Sequence, residues 1–217
     1  MIEAILFDFD MTLVNSRQFV NKSIYDLKEH GLECNMTEKE IWSTPHIPLM
    51  KKISEMNNYK HSWENINEWT KEARHEYYGT SVINDLNELI KIKNKGIYFG
   101  LISNNAREIV NSVLSKNGNE KLKFEDVFGN EDLKDHNSKS ELIQFVIDKY
   151  KFDKKNVMYV GDSDKDMISA KEVGVIPVGV LLGLHNSKEL KKAGAEIIIN
   201  ELKELRKYIN NYSPISL

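Results

Sequence analysis

Short apolar segments alternate along the chain with longer segments in which apolar residues recur at helical spacing. Runs rich in Ile, Leu, Val and Phe predict six strands, at residues 2–9, 97–102, 124–128, 156–160, 175–182 and 196–199. The fifth run contains Pro177 and Gly179, which is typical of a strand near the edge of a sheet. These strands are too short and too apolar to lie exposed, so they predict a buried sheet.

The segments between the predicted strands have the spacing of amphipathic helices. Helical patterns cover residues 82–93, 106–114, 142–150, 167–173 and 187–193, and several of them close with a glycine, at Gly96, Gly118, Gly174 and Gly194. Strands that alternate with helices form βαβ units. The order therefore predicts an α/β fold: a Rossmann-like parallel sheet with helices on both faces.

Residues 16–80 break this alternation, because they contain no convincing strand. Amphipathic helices are predicted at residues 20–30, 49–56 and 63–78, and Thr37 with Glu40 three residues later has the pattern of a capping box. We interpret the segment as a small all-α domain inserted after the first strand, while residues 1–15 and 81–217 form the core. All three tryptophans, which we expect in the core of the inserted domain, fall in this segment: Trp42, Trp63 and Trp69.

Composition and charge exclude several classes of protein. Of the 217 residues, 41% are hydrophobic, which is enough for a packed core, and the net charge of −3 gives no basic surface for nucleic acid or an anionic membrane. A single cysteine, Cys34, excludes an internal disulfide and a cysteine-rich zinc site. The N-terminus lacks the features of a signal peptide, and no apolar stretch is long enough to cross a bilayer. We therefore expect a cytoplasmic protein with no nucleic-acid or membrane partner.

Polar side chains follow three of the predicted strands at the point where each strand ends. Parallel strands present their carboxyl ends at one edge of the sheet, so these side chains are expected to meet there. Each residue alone is ordinary at a cap or turn, but two aspartates on either side of Phe9 place like charges together, which favours a bound cation such as Mg²⁺. The set comprises Asp8, Asp10, Thr12, Ser103, Asn104, Asn105, Asp162, Ser163 and Asp166. Lys139 joins it from a position just ahead of the helix that precedes the fourth strand.

The same residues carry a resemblance to a known family. Residues 8–16 (DFDMTLVNS) resemble the first motif of the haloacid dehalogenase-like hydrolase superfamily, and residues 101–105 (LISNN) resemble its second. Lys139 is similar to the lysine of the third motif, and residues 159–167 (YVGDSDKDM) resemble the fourth. The motifs occur in the family's order and cover nearly the whole chain. The helical insertion resembles the small cap domain of the branch that contains phosphoglycolate phosphatases and phosphomutases.

The resemblance implies a phosphatase that works through an aspartyl-phosphate. Asp8 would be the nucleophile, and Asp10 would protonate the leaving group and then activate water. Lys139 would neutralise charge during phosphoryl transfer, and the phosphoryl oxygens would be held by Ser103, the amide of Asn104 and Lys139. The implied Mg²⁺ ligands are Asp8, Asp10 (through its backbone carbonyl), Asp162 and Asp166, with Thr12 supporting the first loop.

The sequence departs from the family pattern at three places. Met11 stands where the family usually has Gly, and Asn15 where it often has Asp, so the turn after the first strand is expected to differ. No proline follows Lys139, which makes Lys134 an alternative for the same role.

The cap is expected to contact the substrate. Caps of this kind close over small molecules and exclude water. We expect the segment at residues 43–48, with its two prolines, to form a loop that presents His46, and Lys51 to lie close by. Residues in such a segment more often only connect helices, which is the alternative for both side chains.

Three other functions remain open from the residues alone. A sugar-phosphate mutase would share the nucleophile, the acid/base and the cap, although retention of Asp166 favours hydrolysis. A dehalogenase would leave the acidic fourth motif without a metal to bind, and a non-catalytic binding protein would have had no need to keep Asp8, Asp10 and Lys139. The partner we expect is a small-molecule phosphomonoester, whose identity the sequence leaves open, and the protein is expected to be a monomer or weak dimer.

Overall fold

A six-stranded parallel sheet forms the centre of the protein in the computed structural model, which describes residues 1–44, 46–136 and 138–209. The strand order is β3-β2-β1-β4-β5-β6. The first and fourth strands along the chain, whose ends carry the acidic motifs, are therefore neighbours in the middle of the sheet. The strands are β1 (Ala4–Phe7), β2 (Tyr98–Ile102), β3 (Asp126–Phe128), β4 (Val157–Gly161), β5 (Ile176–Val180) and β6 (Ile197–Ile199).

Both faces of the sheet are buried. Leu6 and Phe7 point to opposite faces because side chains alternate along a strand, and both are fully buried. On the Leu6 face, the strands pack against apolar side chains such as Leu142 and Val146. All six predicted strands are present, and the predicted α/β fold with a parallel sheet is confirmed. β5 lies next to the outer strand β6, which agrees with its Pro177 and Gly179.

Two compact units share the chain, one formed by Met1–Asn15 with the chain from Ser81 onward, the other by Ser16–Thr80. The described residues of the second unit form four helices: α1 (Arg17–Glu29), α2 (Glu38–Ser43), α3 (His46–Met56) and α4 (Trp63–Thr80). Its apolar core includes Leu27, Ile53 and Ile66, and Trp63, Trp69 and Cys34 pack against that core. The side chain of Trp42 lies outside the described part of the structure. The predicted capping box of α2 is confirmed, because Thr37 and Glu40 exchange the two expected hydrogen bonds.

The helices of the first unit follow the predicted segments, with two additions among the described residues. They are α5 (Leu86–Lys93), α6 (Arg107–Leu114), α7 (Asn130–His136), α8 (Lys139–Tyr150), α9 (Asp164–Val173), α10 (Ser187–Ala193) and α11 (Arg206–Ile209). Helices α7 and α11 were not predicted. The α7 sequence NEDLKDH contains a single large apolar residue and gives no helical periodicity, and α11 has only 4 residues, too few to show one. Among the described residues, no helix is both long and apolar enough to cross a membrane.

The prediction of a loop at residues 43–48 is wrong. Ser43 ends α2 and His46 already begins α3, so Pro48 lies in the first turn of a helix. Proline is compatible with that position because the N–H groups of the first turn have no partner within the helix. At Pro48, the apparent loop signal came from a proline that marks a helix start.

Candidate active site

The end of β1 places Asp8 between the two neighbouring strands that carry the other motifs. The strand pairs with β2 on one side and β4 on the other, and the N–H of Asp8 still bonds to the carbonyl of Val160, at 2.8 Å. This hydrogen bond extends the parallel pairing one residue beyond the strand. It therefore brings Asp8, a residue that is only 7% exposed, next to the residues that follow β4.

Lys139 joins the first and fourth motifs directly. Its Nζ lies 2.6 Å from Oδ1 of Asp8 and 2.8 Å from Oδ1 of Asp166. Lys139 is the first residue of α8, and Ser138 caps that helix by accepting the N–H of Glu141. This N-cap fixes where α8 begins, and so places a lysine side chain between two buried carboxylates.

Asp166 is held by its own helix as well as by Lys139. Ser163 is the N-cap of α9 and forms a capping box with Asp166: its hydroxyl and backbone N–H donate to Oδ2 of Asp166, at 2.5 and 3.1 Å. The hydroxyl of Tyr159, fully buried in β4, lies 3.4 Å from Oδ1. Asp166 is thus 1% exposed and oriented on both carboxylate oxygens.

Asp162 completes an acidic cluster that fits a divalent cation. One carboxylate oxygen from each of Asp8, Asp162 and Asp166 lies within 4.8 Å of the others. Hard oxygen donors at this spacing, on buried or half-buried side chains, are the ligand type that Mg²⁺ prefers. Asp10 is not part of this cluster through its carboxylate.

The charges of the cluster perturb its protonation. Burial raises the pKa of Asp8 to about 7, and the ammonium of Lys139 acts in the opposite direction. Burial and then the nearby Asp166 raise the pKa of Asp162 well above its usual range. Burial would lower the pKa of Lys139, but Asp166 and Asp8 outweigh it and raise the pKa, so the lysine stays charged. One ammonium thus faces three carboxylates, so full ionisation of the cluster requires further positive charge such as a bound cation.

Asp10 has a different partner, which the sequence-based assignment of roles missed. Nδ2 of Asn105, from the turn after β2, donates to Oδ2 of Asp10. The motif after β2 had suggested roles for Ser103 and Asn104 only. Ser103 is 1% exposed and accepts the N–H of Asn105 at 3.0 Å, whereas the side chain of Asn104 is exposed.

The turn after β1 accommodates Met11 in a conformation that glycine adopts easily. Met11 has φ of 57° and its side chain is 2% exposed. The left-handed backbone costs roughly 1–2 kcal/mol, and burial of a methionine side chain contributes about as much in the opposite direction. Met11 therefore adopts this conformation without a large net cost, and the expected difference from the family's turn stays a prediction. Thr12, in the same turn, is fully buried and its carbonyl accepts Nδ2 of Asn84, at 3.1 Å.

The structure does not test the remaining candidates as parts of this site. Lys51 is exposed on α3, and its Nζ lies 5.4 Å from the ring centroid of Trp63 within the helical unit. The side chains of His46 and Lys134 lie outside the described part of the structure. The substrate contacts predicted for His46 and Lys51 stay predictions.

With this geometry established, comparison with known proteins decides the family. A profile of the family described as "Haloacid dehalogenase-like hydrolase" matches residues 5–180, which include all four motifs. The chain belongs to this family. The predicted resemblance, and with it the prediction of a hydrolase, is confirmed.

Individual relatives of the family span almost the whole chain. A protein of Caldanaerobacter subterraneus subsp. tengcongensis, provisionally named pyrophosphatase PpaX, is 26% identical and covers 96% of this chain and 94% of its own length. A solved structure from Haemophilus somnus 129PT, described as a predicted phosphoglycolate phosphatase, has a TM-score of 0.79 at 20% identity, covering 95% and 97% of the two chains. Another from Thermotoga maritima, provisionally named a beta-phosphoglucomutase, has a TM-score of 0.77 at 21% identity, covering 96% and 98%. The two structures establish the shared fold.

Proposed function

We propose that the protein is a Mg²⁺-dependent phosphatase that hydrolyses a small phosphomonoester through an aspartyl-phosphate on Asp8. The observation that carries the proposal is the position of Lys139, whose ammonium contacts both Asp8 and Asp166 at an edge of the sheet where a third carboxylate lies within 4.8 Å. A lysine in this position favours the ionised form of Asp8, against the effect of burial, and partly neutralises the charge that a phosphoryl group brings.

In the first step an oxygen of Asp8 attacks phosphorus. The bond between phosphorus and the leaving oxygen breaks, and Asp10 gives its proton to that oxygen. The hydroxyl of Ser103 and the amide of Asn104 hold the phosphoryl oxygens, and Lys139 balances their charge. Asp8 then carries the phosphoryl group as a mixed anhydride.

In the second step water replaces Asp8 on phosphorus. Asp10, now ionised, takes a proton from the attacking water, and the phosphorus–oxygen bond to Asp8 breaks. The carboxylate of Asp8 is restored and inorganic phosphate leaves. The helical unit Ser16–Thr80 would act as the cap that limits access of bulk water during these steps, with His46 and Lys51 as candidates for substrate contact.

Asp8, Asp162 and Asp166 would hold the Mg²⁺, together with the backbone carbonyl of Asp10. When bound, the ion supplies positive charge that offsets the mutual repulsion of the carboxylates and of the incoming phosphate. Ser163 and Lys139 already orient the carboxylate of Asp166, so it would contact the ion either directly or through a water molecule.

We expect Mg²⁺ to stabilise the protein more at about pH 8 than at about pH 6. Burial raises the pKa of Asp8 in the folded protein to about 7, above its pKa in the unfolded chain. In metal-free protein, Asp8 therefore contributes to the free energy of unfolding in full below its pKa in the unfolded chain, and this contribution is lost as the pH rises through about 7. Mg²⁺ binds the ionised carboxylates and reverses the loss. Thermal unfolding with EDTA and with Mg²⁺ at both pH values measures the difference. A Mg²⁺-induced shift in Tm that is equal at both, or larger at the lower pH, contradicts the assigned ligands.

We expect Gly183→Ala to weaken Mg²⁺ binding about 10-fold or more, as loss of an outer-shell support does. A Cβ at Gly183, in the segment after β5, would lie 2.6 Å from Cγ and 2.7 Å from Cβ of Asp162, so the carboxylate has to move. Calorimetric titration with Mg²⁺ measures the affinity. Gly179→Ala is the matched control, because its Cβ crowds only apolar side chains, among them Ile198 at 2.9 Å. Equal affinities of wild type and Gly183→Ala would show that Asp162 does not bind the ion.

The proposed activity is tested by release of phosphate from a nitrophenyl phosphate and from a panel of phosphorylated metabolites, with Mg²⁺ and with EDTA. Inorganic pyrophosphate belongs in the panel, because the relative from Caldanaerobacter, whose match to this chain covers 94% of its own length, is named a pyrophosphatase. Hexose phosphates test the mutase alternative: isomer formation without free phosphate favours it. No Mg²⁺-dependent turnover of any phosphate compound would leave the non-catalytic alternative.

A further inference from the structure

The turn after β2 connects the proposed acid/base to the proposed phosphate site through one residue, Asn105. Its side-chain Nδ2 donates to Oδ2 of Asp10. Its backbone N–H donates to Oγ of Ser103 at 3.0 Å, and its carbonyl accepts the N–H of Asn130, the first residue of α7, at 2.8 Å. The backbone of Asn105 is therefore fixed at both ends, and its side chain reaches Asp10 from a fixed base.

We propose that Asn105 is a positioning residue for Asp10: by donating to Oδ2, it holds the acid/base so that Oδ1 carries and delivers the proton. The carbonyl oxygen of a carboxylic acid accepts a hydrogen bond better than its hydroxyl oxygen, so the contact at Oδ2 favours the proton of Asp10 on Oδ1. The inference deepens the proposed function and rests on it.

The position of this contact gives it a specific part in the reaction. In the first step the bond between Asp8 and phosphorus forms, the bond to the leaving oxygen breaks, and that oxygen keeps the electron pair and takes the proton from Asp10. Asn105 touches neither substrate nor phosphorus in this scheme. Its effect is therefore confined to steps in which Asp10 moves a proton, and a misaligned acid slows those steps most.

The leaving group separates this role from a general structural one. A nitrophenolate leaves as a stable anion and needs little help from an acid, whereas an alkoxide needs a proton as the bond breaks. For Asn105→Ala we expect kcat/KM to fall about 10- to 100-fold for a simple alkyl phosphate, and less than about 3-fold for nitrophenyl phosphate. Asn105→Asp has nearly the same shape but no N–H to donate, and it should lose at least as much as Asn105→Ala.

The controls distinguish this inference from the proposed function. Asn111→Ala, on the exposed face of α6, should leave both kcat/KM values unchanged, and Asp10→Asn should show the same dependence on leaving group with a larger loss. Equal losses for both esters, or no loss, in folded Asn105→Ala would overturn the positioning role while wild-type turnover upholds the phosphatase. A wild type that hydrolyses neither ester with Mg²⁺ would overturn both.

The hydrogen bond itself is measurable without turnover. The side-chain amide resonances of Asn105 are identified by their loss in Asn105→Ala, and we expect them to shift on Asp10→Asn, because their acceptor changes. The amide of Asn84, which donates to the carbonyl of Thr12 in the same turn, serves as the internal reference and should shift less. Asn105 resonances that stay in place would overturn the inference even if the enzyme is active.

Discussion

Asp8→Asn should reduce Mg²⁺-dependent phosphate release by about 10⁴-fold or more, since removal of a catalytic nucleophile has effects of that size. Asparagine keeps the shape of the side chain but cannot form the anhydride with phosphorus. Initial rates on nitrophenyl phosphate measure the loss. Asp148→Asn, which removes an exposed carboxylate from α8, is the matched control and should keep full activity. An Asp8→Asn protein with more than about one-tenth of wild-type activity would exclude Asp8 as nucleophile.

The same substitution should not destabilise the metal-free protein at about pH 8. The pKa of Asp8 is raised to about 7, so the folded state disfavours its ionised form relative to the unfolded chain. A neutral asparagine removes that cost, and we expect a Tm equal to or above that of wild type in EDTA. A lower Tm would mean that the contact with Lys139 contributes more than burial costs, contrary to the direction of the pKa shift.

Lys139→Met should lower both activity and stability. Loss of a charge that stabilises the transition state typically costs about 10²- to 10³-fold in kcat. Removing one partner of a buried ion cluster typically costs about 3–5 kcal/mol of unfolding free energy, because the remaining carboxylates keep their desolvation and lose their counter-charge. The stability loss should be smaller at about pH 5, where Asp8 and Asp162 take up protons.

Chemical denaturation at both pH values and initial rates measure these effects. Lys149→Met is the control on the same helix: its partner Asp126 lies 2.8 Å away, but the lysine side chain is 40% exposed, so the loss of stability should be small. A loss for Lys139→Met that is as small as for Lys149→Met, with activity retained, would show that Lys139 has no special role and would return Lys134 to consideration.

The sheet and the meeting of its acidic motifs could be predicted because both follow from short-range patterns. Apolar runs fix the strands, alternation with helices makes them parallel, and parallel strands bring their carboxyl ends to one edge. Asp8 and Asp162 therefore had to come close once β1 and β4 were neighbours. That β1 and β4 are neighbours does not follow from these patterns and required the resemblance or the structure.

The contacts that the sequence did not reveal depend on turn geometry. Asn105 and Asp10 are 95 positions apart, and their hydrogen bond requires a particular turn after each of two strands. No sequence pattern connects Gly183 to Asp162, because Gly183 acts only by lacking a side chain, which leaves room for the carboxylate of Asp162. The left-handed backbone of Met11 was also not predicted; its cost is small enough for burial of the side chain to offset.

The most direct test of the central claim is to look for the phosphoryl group on the enzyme. Wild-type protein turning over a phosphomonoester with Mg²⁺ is quenched in acid, digested, and its peptides are examined by mass spectrometry. We expect a phosphorylated peptide whose modified residue is Asp8. It should be absent from Asp8→Asn and, with nitrophenyl phosphate as substrate, should accumulate when Asp10→Asn slows hydrolysis of the anhydride. Steady turnover with no phosphorylated Asp8, or with the phosphoryl group on another residue, would contradict it.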